Sequence, residues 1–359
     1  MADRRRPYRG SVSVTDGFVE AMVASPLGVA LLAVLESRTR RPAEWVPSLE
    51  TSPASVSAAA NAVERMSFGE FVEVAVRTGA FHVGPWISEA AETAAAAYRD
   101  ATARLPIAEA VNARFGTALH APIDRAAQQW WSDEFPAAWL DRLSPLFHDY
   151  EHVYGAGQFT WAGLWTVTDP PPEVHQELVG AWELERGPVS RWWLPADAGA
   201  RVFEVHRPAD WARLVTDHLR EGLPHPEWEL PGINQHPIDL STLLSVPGQR
   251  AVRTSIRRHL VPDWRAVAER YDGVHLSWAG FISTEGCITD LGDGDVTLLR
   301  YWFSERTHWL ADVFGEPQPA TDPMLHDHVT DEPSSVSDAS SPANRQLSAG
   351  HSLHRLLGR

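Results

Sequence analysis

The chain has 359 residues, of which 44% are hydrophobic and 16 are tryptophan, and its formal net charge is −16. All 31 basic residues are arginine, which excludes Schiff-base chemistry on a lysine amine and the phosphate-binding lysine of P-loop and kinase sites. The negative charge opposes non-specific binding to nucleic acid, so we expect no nucleic-acid partner. The one cysteine, Cys287, excludes an intrachain disulfide, and we expect it to be a buried thiol in a reducing cytoplasm.

The first half of the chain predicts helices. Residues 1–14 are predicted to form a flexible basic arm and residues 15–155 a helical domain, because alanine-rich runs alternate with breaks at proline and glycine. The apolar residues 21–35 are fewer than the roughly 20 that a membrane span requires, so we expect a buried helix and no membrane span. Residues 123–154, which include Trp130 and Trp131, are predicted to be the last helices of this domain.

Residues 156–315 have the composition of an α+β domain. Residues 201–206 alternate between polar and apolar side chains and predict a strand. Pro208 then opens a helix that buries Trp211, and Pro262 with Asp263 opens a similar helix that buries Trp264. The predicted fold class is therefore α+β, with an all-α N-terminal domain followed by a tryptophan-rich α+β domain.

The last third of the chain predicts a hairpin, a helix and a tail. Residues 273–283 are predicted to be a strand, and the sequence LGDGD at residues 291–295 is a hairpin turn signal. Residues 306–314 are predicted to be the closing helix. Residues 316–359 are rich in Pro, Ser, Asp and His, which predicts a disordered acidic tail.

The segment HDYEH is the sharpest motif in the sequence. Its pattern H-x-x-E-H places His148 and His152 on one face of a helix, where they would bind zinc while Glu151 activates a water molecule. Its pattern H-D-x-x-H also resembles the signature of the HD phosphohydrolases and of cyclic nucleotide phosphodiesterases, an all-α class. That resemblance implies that His148 and Asp149 hold divalent metals together with an upstream histidine, for which His120 is the nearest candidate.

A structural interpretation of the same segment competes with both metal sites. Apolar residues recur at helical spacing before and within the motif, and they define a buried stripe formed by Leu143, Leu146, Phe147, Tyr150 and Tyr154. His148 and His152 then lie on the opposite, solvated face of the helix. Under this interpretation the motif binds no metal.

A third type of enzyme is considered because of three residues in the C-terminal domain. ADP-ribosyl transfer uses an arginine, a serine and a glutamate to hold and activate NAD. Arg201, Ser277 and either Glu285 or Glu305 are the candidates for these positions.

Two segments carry a resemblance to other proteins. Residues 201–215, RVFEVHRPADWARLV, and residues 261–284, VPDWRAVAERYDGVHLSWAGFIST, resemble the C-terminal region of actinobacterial proteins to which no activity is assigned. The resemblance implies a bacterial, cytoplasmic protein in two parts. Because tryptophan and arginine are favoured anchors of binding sites, the leading hypothesis is a protein or small-molecule binding function of the tryptophan-rich domain. A metal-dependent hydrolase that uses the HDYEH segment and a divalent metal is the alternative.

Overall fold

The structure is a computed structural model that describes residues 17–41, 50–82, 98–132, 153–154, 159–160, 164–182, 184, 189–224, 258–299 and 302–320. All of them belong to one compact unit, Met1–Asp322. Helices and mixed sheets make up this unit, which confirms the predicted α+β class. The predicted basic arm and most of the predicted tail lie outside the described residues.

In the described residues, five α-helices and a 3₁₀ helix precede the main sheet. They are α1 (Phe18–Ala24), α2 (Pro26–Arg38), α3 (Pro53–Val63), α4 (Phe68–His82), the 3₁₀ helix Tyr98–Arg104 and α5 (Leu105–Leu119). Local capping explains where they begin: the Ser25 hydroxyl accepts a hydrogen bond from the Gly28 N–H at 3.0 Å at the start of α2. Ser52 and Ser55 form a reciprocal capping box at the start of α3.

Helix α2 is the centre of the helical layer. All its residues from Pro26 to Glu36 are buried, as expected of a helix that is apolar on every side. The predicted burial is confirmed from Ser25 onward, but residues 21–35 belong to two helices that meet at Ser25 and not to one. Within the described ranges, no helix is by itself long and apolar enough to cross a bilayer; α1 and α2 meet that criterion only as a pair, and their axes differ by 88°.

A buried ion pair ties the helices together. The Arg104 Nε atom lies 2.7 Å from Glu36 Oε2, and both side chains are 0% exposed. The other carboxylate oxygen of Glu36 accepts a hydrogen bond from the Ser55 hydroxyl at 2.5 Å. Three chain segments therefore meet at one buried carboxylate.

The main sheet has seven strands in the described part of the chain. They are β1 (Gln128–Ser132), β4 (Leu164–Thr168), β5 (Ser190–Trp193), β6 (Val202–Val205), β9 (Gly273–Leu276), β12 (Arg306–Trp309) and β13 (Gln318–Pro319). Their order in the sheet is β13-β5-β1-β4-β12-β9-β6. Strands β6 and β9 are parallel, and all the other neighbours are antiparallel.

Two smaller sheets and four helices complete the described structure. A sheet of four strands has the order β10-β11-β8-β7, and β2 pairs with β3. These strands are β2 (Val153–Tyr154), β3 (Phe159–Thr160), β7 (Leu219–Pro224), β8 (Arg258–Pro262), β10 (Ile288–Gly292) and β11 (Asp295–Leu298). The helices are α6 (His175–Ala181), which follows the 3₁₀ helix Pro172–Val174, α7 (Pro208–Asp217), α8 (Trp264–Ala268) and α9 (Trp278–Thr284).

Several predicted elements are confirmed where local signals are strong. Strand β6 and helix α7 lie as predicted, and α7 buries Trp211. Helix α8 is capped by Asp263 and buries Trp264. The hairpin of β10 and β11 turns at Asp293, whose φ is 56°, and at the glycine after it.

Four predicted elements are wrong; in three of them strand pairing with distant residues outweighs the local pattern, and in the fourth a local helix cap ends the strand. Trp130 and Trp131 lie on β1, a strand between β4 and β5, and not on a helix. The predicted strand 273–283 ends at Leu276, where Ser277 caps helix α9. Residues 306–309 form β12 inside the sheet and not a helix. Residues 318–319, predicted as tail, pair with β5 as strand β13.

Replacing Gly280 with alanine should destabilise the fold strongly. A Cβ atom there would lie 2.1 Å from the Val205 carbonyl oxygen, so helix α9 would have to move away from β6. We expect Gly280→Ala to lower the free energy of unfolding in urea by about 3 kcal/mol. Gly315→Ala is the control, because its Cβ would meet nothing closer than 3.6 Å; equal effects of the two substitutions would contradict the close approach.

The Glu36–Arg104 pair makes a second prediction. Arg104→Met removes the buried cation of Glu36, leaves only the half-exposed Arg40 at 3.7 Å, and should lower the free energy of unfolding by about 3 kcal/mol. The double variant Arg104→Met/Glu36→Met removes both charges and should recover most of that loss. Additive losses in the double variant, measured by urea denaturation, would show that the pair is not a coupled unit.

Candidate functional site

A histidine held between two glutamates lies inside the main sheet. His275 on β9 is 2% exposed, and its Nδ1 lies 2.5 Å from Oε2 of Glu204 on β6. Its Nε2 lies 2.9 Å from Oε1 of Glu305, the residue before β12. Both ring nitrogens face a carboxylate oxygen, and both can donate a hydrogen bond only in the imidazolium form. We refer to Glu204, His275 and Glu305 as the His275 triad.

The pKa values of the triad agree with this geometry. Burial alone would lower the pKa of His275, but the hydrogen bonds and charges of the two glutamates raise it to about 9. Burial alone would raise the pKa of Glu204, but His275 and the N–H of Ile123 lower it overall. At neutral pH the triad therefore contains a buried imidazolium.

Hydrogen bonds extend from the triad across the sheet to β1. Glu305 accepts hydrogen bonds from the Thr168 N–H at 3.1 Å and from its hydroxyl at 2.8 Å. Gln128 Nε2 donates to the same hydroxyl oxygen at 2.9 Å, and the Thr166 hydroxyl donates to Gln128 Oε1. The Trp309 indole N–H donates to Thr166 at 2.7 Å. This network fixes the position of Glu305 relative to four neighbouring strands.

A polar group stands at the carboxyl ends of the parallel strands, where α/β sheets commonly bind ligands. His206 Nδ1 lies 2.9 Å from the Ser277 hydroxyl, and its Nε2 lies 4.0 Å from Glu204 Oε2. Burial lowers the pKa of His206, and the charge of Glu204 offsets this only in part. Ser277 is 1% exposed and accepts the Gly280 N–H, so its hydroxyl is held as a helix cap.

The short segment from Trp302 to Arg306 leads into β12 and places side chains on both faces of the sheet. Phe303 has a φ of 64°, a left-handed conformation that costs a bulky residue about 1 to 3 kcal/mol. The backbone N–H of Trp302 donates a hydrogen bond to Glu285 Oε2 at 3.3 Å. The side chains of successive strand residues point to opposite faces of a sheet. Glu305 therefore points to the face of the His275 triad, of which it is a member, and Arg306 points to the other face.

Aromatic rings and one arginine are packed together on that other face. Trp165 and His308 are paired across β4 and β12, with ring centroids 4.5 Å apart and an interplanar angle of 12°. The Arg306 Cζ atom lies 4.9 Å from the Trp165 centroid and 4.4 Å from the Trp182 centroid. We call these four residues the tryptophan–arginine stack. Buried Trp302 contacts Trp165 edge to face at 4.8 Å.

The stack and the neighbouring Trp302 have donors without acceptors. Arg306 Nε, Trp182 Nε1 and Trp302 Nε1 are buried atoms with no hydrogen-bond partner in the described part of the chain. Burial lowers the pKa of Arg306 to about 9, offset only in part by the charge of Glu305. Buried polar groups in native proteins are normally paired, so this surplus of donors requires an explanation.

The residues of the HDYEH motif fall outside the described part of the chain. His148, Asp149, Glu151 and His152 all lie between residues 133 and 152, so the metal site stays a prediction. His120 is described and caps the end of α5, with its ring 5.2 Å from that of Phe18. Among the described residues, no three His, Cys, Asp or Glu side chains are grouped to hold a metal ion.

The candidates for ADP-ribosyl transfer are not brought together. Arg201 precedes β6 and pairs with Asp272 at 2.8 Å, whereas Ser277 follows the last residue of the neighbouring strand β9. Glu305 is engaged by His275, and Glu285 accepts the N–H of Trp302. Arg201 and Ser277 therefore lie at opposite ends of the parallel strand pair.

Other predicted features are located as follows. Cys287 is buried, as predicted. Of the nine tryptophans that the structure describes in the C-terminal part, five are buried and four are half-buried, which supports both core packing and partly exposed aromatic residues. The buried ones are Trp211, Trp264, Trp278, Trp302 and Trp309, and the half-buried ones are Trp165, Trp182, Trp192 and Trp193.

No family model, curated protein or solved structure matches the chain. The resemblance to actinobacterial proteins therefore stays a prediction.

Three residues of the site were missed by the sequence interpretation. Glu204 lies between Phe203 and Val205, and His275 lies between two apolar residues, so each looks like the solvated side of a strand. Arg306 was placed on a predicted helix. The available signal for these residues was a polar residue that alternates with apolar ones. That pattern predicts a strand but does not show that the polar side of the strand is covered by other residues, as it is here.

The stability of the protein should depend on the charge of His275. Its folded pKa of about 9 exceeds its unfolded value of 6.5, so its stabilisation is complete below pH 6.5 and is lost as the pH rises through 9. We expect the free energy of unfolding to fall by roughly 3 kcal/mol over that interval. His275→Gln should remove this fall.

His218→Gln is the matched control, because His218 is also buried but lies at the end of α7, outside the triad. Its pH profile should follow that of the wild type. Identical slopes for wild type and His275→Gln would mean that His275 is not protonated in the folded protein.

Proposed function

We propose that this protein binds a small anionic ligand at the tryptophan–arginine stack, and that ligand binding is its function. The observation that carries the proposal is Arg306, a cation that lies against two indole rings, with no carboxylate partner in the described residues. The sequence predicted a binding function of the tryptophan-rich region; the proposal assigns it to one cluster of side chains and to ligands that are negatively charged.

Electrostatics supports an anion. A buried charge is costly unless it is paired, and a cation–π contact contributes only about 0.5 to 2 kcal/mol. The guanidinium has five N–H donors in a planar fork that suits carboxylate or phosphate oxygens. An anion beside Arg306 would offset the cost of burial and satisfy the unpaired Nε.

Exposure supports access from solvent. Trp165, Trp182 and Arg306 are each partly exposed, whereas His308 and Trp302 behind them are buried. A preformed binding site requires partly exposed residues that contact the ligand and buried residues that hold them in position by packing. The strained φ of Phe303 fits the same interpretation, because backbone strain is concentrated at functional sites.

Arg306→Met tests the proposal by thermal unfolding with and without benzoate or phenyl phosphate. Wild-type protein should be stabilised, by about 2.7 kcal/mol at one hundred times the dissociation constant. The variant should lose this effect but keep or slightly raise its ligand-free stability, because a partly buried cation with an unpaired Nε is replaced by an apolar side chain.

Arg213→Met is the matched control. The Arg213 guanidinium also lies over an aromatic ring, 4.9 Å from that of Phe203, but its side chain is 59% exposed and pairs with Asp210. This variant should respond to the anions like the wild type. No stabilisation of wild type by either anion, together with a large loss of stability in Arg306→Met, would assign Arg306 a purely structural role.

A further inference from the structure

The number and placement of donors in the stack narrow the class of anion. Besides the Nε of Arg306, the unpaired donors are indole N–H groups from two separate segments: Trp182 directly after α6 and Trp302 before β12. Trp302 is 0% exposed, so water is a poor substitute partner for its N–H. Trp302 lies behind the exposed residues, so the donors that a ligand could meet are those of Arg306 and Trp182, which belong to two different chain segments.

Two anionic groups common in small metabolites differ in the oxygens that they offer to such donors. A carboxylate offers two oxygens in one plane, whereas a phosphoryl group offers three oxygens on a tetrahedral centre and carries about −1.5 to −2 charges at neutral pH. The larger charge also compensates better for the buried guanidinium. Because the chain contains no lysine, arginine and neutral N–H donors are the available groups for phosphate binding.

We propose that the ligand is a phosphate monoester, and that the Trp182 indole N–H is a specificity-determining donor to its phosphoryl oxygens. This inference rests on the proposed function. Trp165 and Trp182 are partly exposed beside Arg306, and their rings offer an apolar wall to the organic group of the ester. Inorganic phosphate offers the same phosphoryl oxygens but lacks the organic group that would contact the two indole rings.

Trp182→Phe tests the inference because it removes the N–H and retains an aromatic ring. Calorimetric titrations with phenyl phosphate, benzoate and inorganic phosphate should show tightest binding of phenyl phosphate to the wild type. The substitution should weaken phenyl phosphate binding by about tenfold, the effect of one hydrogen bond to a charged group, and leave benzoate binding unchanged.

Trp192→Phe is the control for the loss of an indole N–H. Trp192 Nε1 is also buried and unpaired among the described residues, but this ring packs against the apolar cluster of Trp130 and Trp309 on the other face of the sheet. The control should bind all three probes like the wild type. Near-ultraviolet circular dichroism and thermal unfolding of both variants show whether they are folded.

The outcomes separate the inference from the function on which it rests. Benzoate binding as tightly as phenyl phosphate, or equal phenyl phosphate affinity in wild type and Trp182→Phe, would overturn phosphoryl recognition while leaving anion binding intact. Inorganic phosphate binding as tightly as phenyl phosphate would overturn the monoester. If the wild type binds none of the three probes, the proposed function fails as well.

Discussion

The buried charge of His275 is the interaction on which the centre of the main sheet depends. It joins Glu204 of β6 to Glu305 at the start of β12, and Thr168 of β4 holds the far side of Glu305. Removing one member of a buried charge group leaves its partners uncompensated, at a cost of several kcal/mol. The triad therefore fixes where β12 begins, and strand alternation then directs Arg306 to the opposite face.

The His275 triad and the tryptophan–arginine stack, which lie on opposite faces of β12, differ in how well their own polar groups are paired, although Thr307 Oγ1 and Trp192 Nε1 on the triad face are also buried without a partner among the described residues. On the triad face, the two ring nitrogens of His275 meet carboxylates, and Glu305 accepts three hydrogen bonds from Thr168 and His275. On the other face, Arg306 and two indoles keep donors that no described group accepts. A satisfied network rigidifies a fold, whereas an unsatisfied cluster costs stability and is characteristic of sites shaped by binding. The fold thus holds the unpaired donors of Arg306 and of the two indoles in fixed positions.

Local signals in the sequence predicted the elements that depend on local interactions. Helix α7 after Pro208 and the hairpin at Asp293 follow from capping and turn chemistry, and both were found. Strands β1 and β12 were missed because partners distant in sequence decide their conformation. Helix α9 was missed because the local cap at Ser277 was not recognised. The site was missed for the same reason as the two strands: Glu204, His275 and Arg306 are separated by up to about a hundred residues and become a unit only when β6, β9 and β12 pair.

A crystal structure of the protein grown with phenyl phosphate tests the central claim most directly. We expect electron density for the phosphoryl group against Arg306, with its oxygens within hydrogen-bond distance of the guanidinium and of Trp182 Nε1. The benzene ring should lie along the exposed side of the tryptophan–arginine stack. Density for the Arg306 guanidinium paired with a carboxylate of the protein itself, and no ligand beside it, would contradict an anion-binding function.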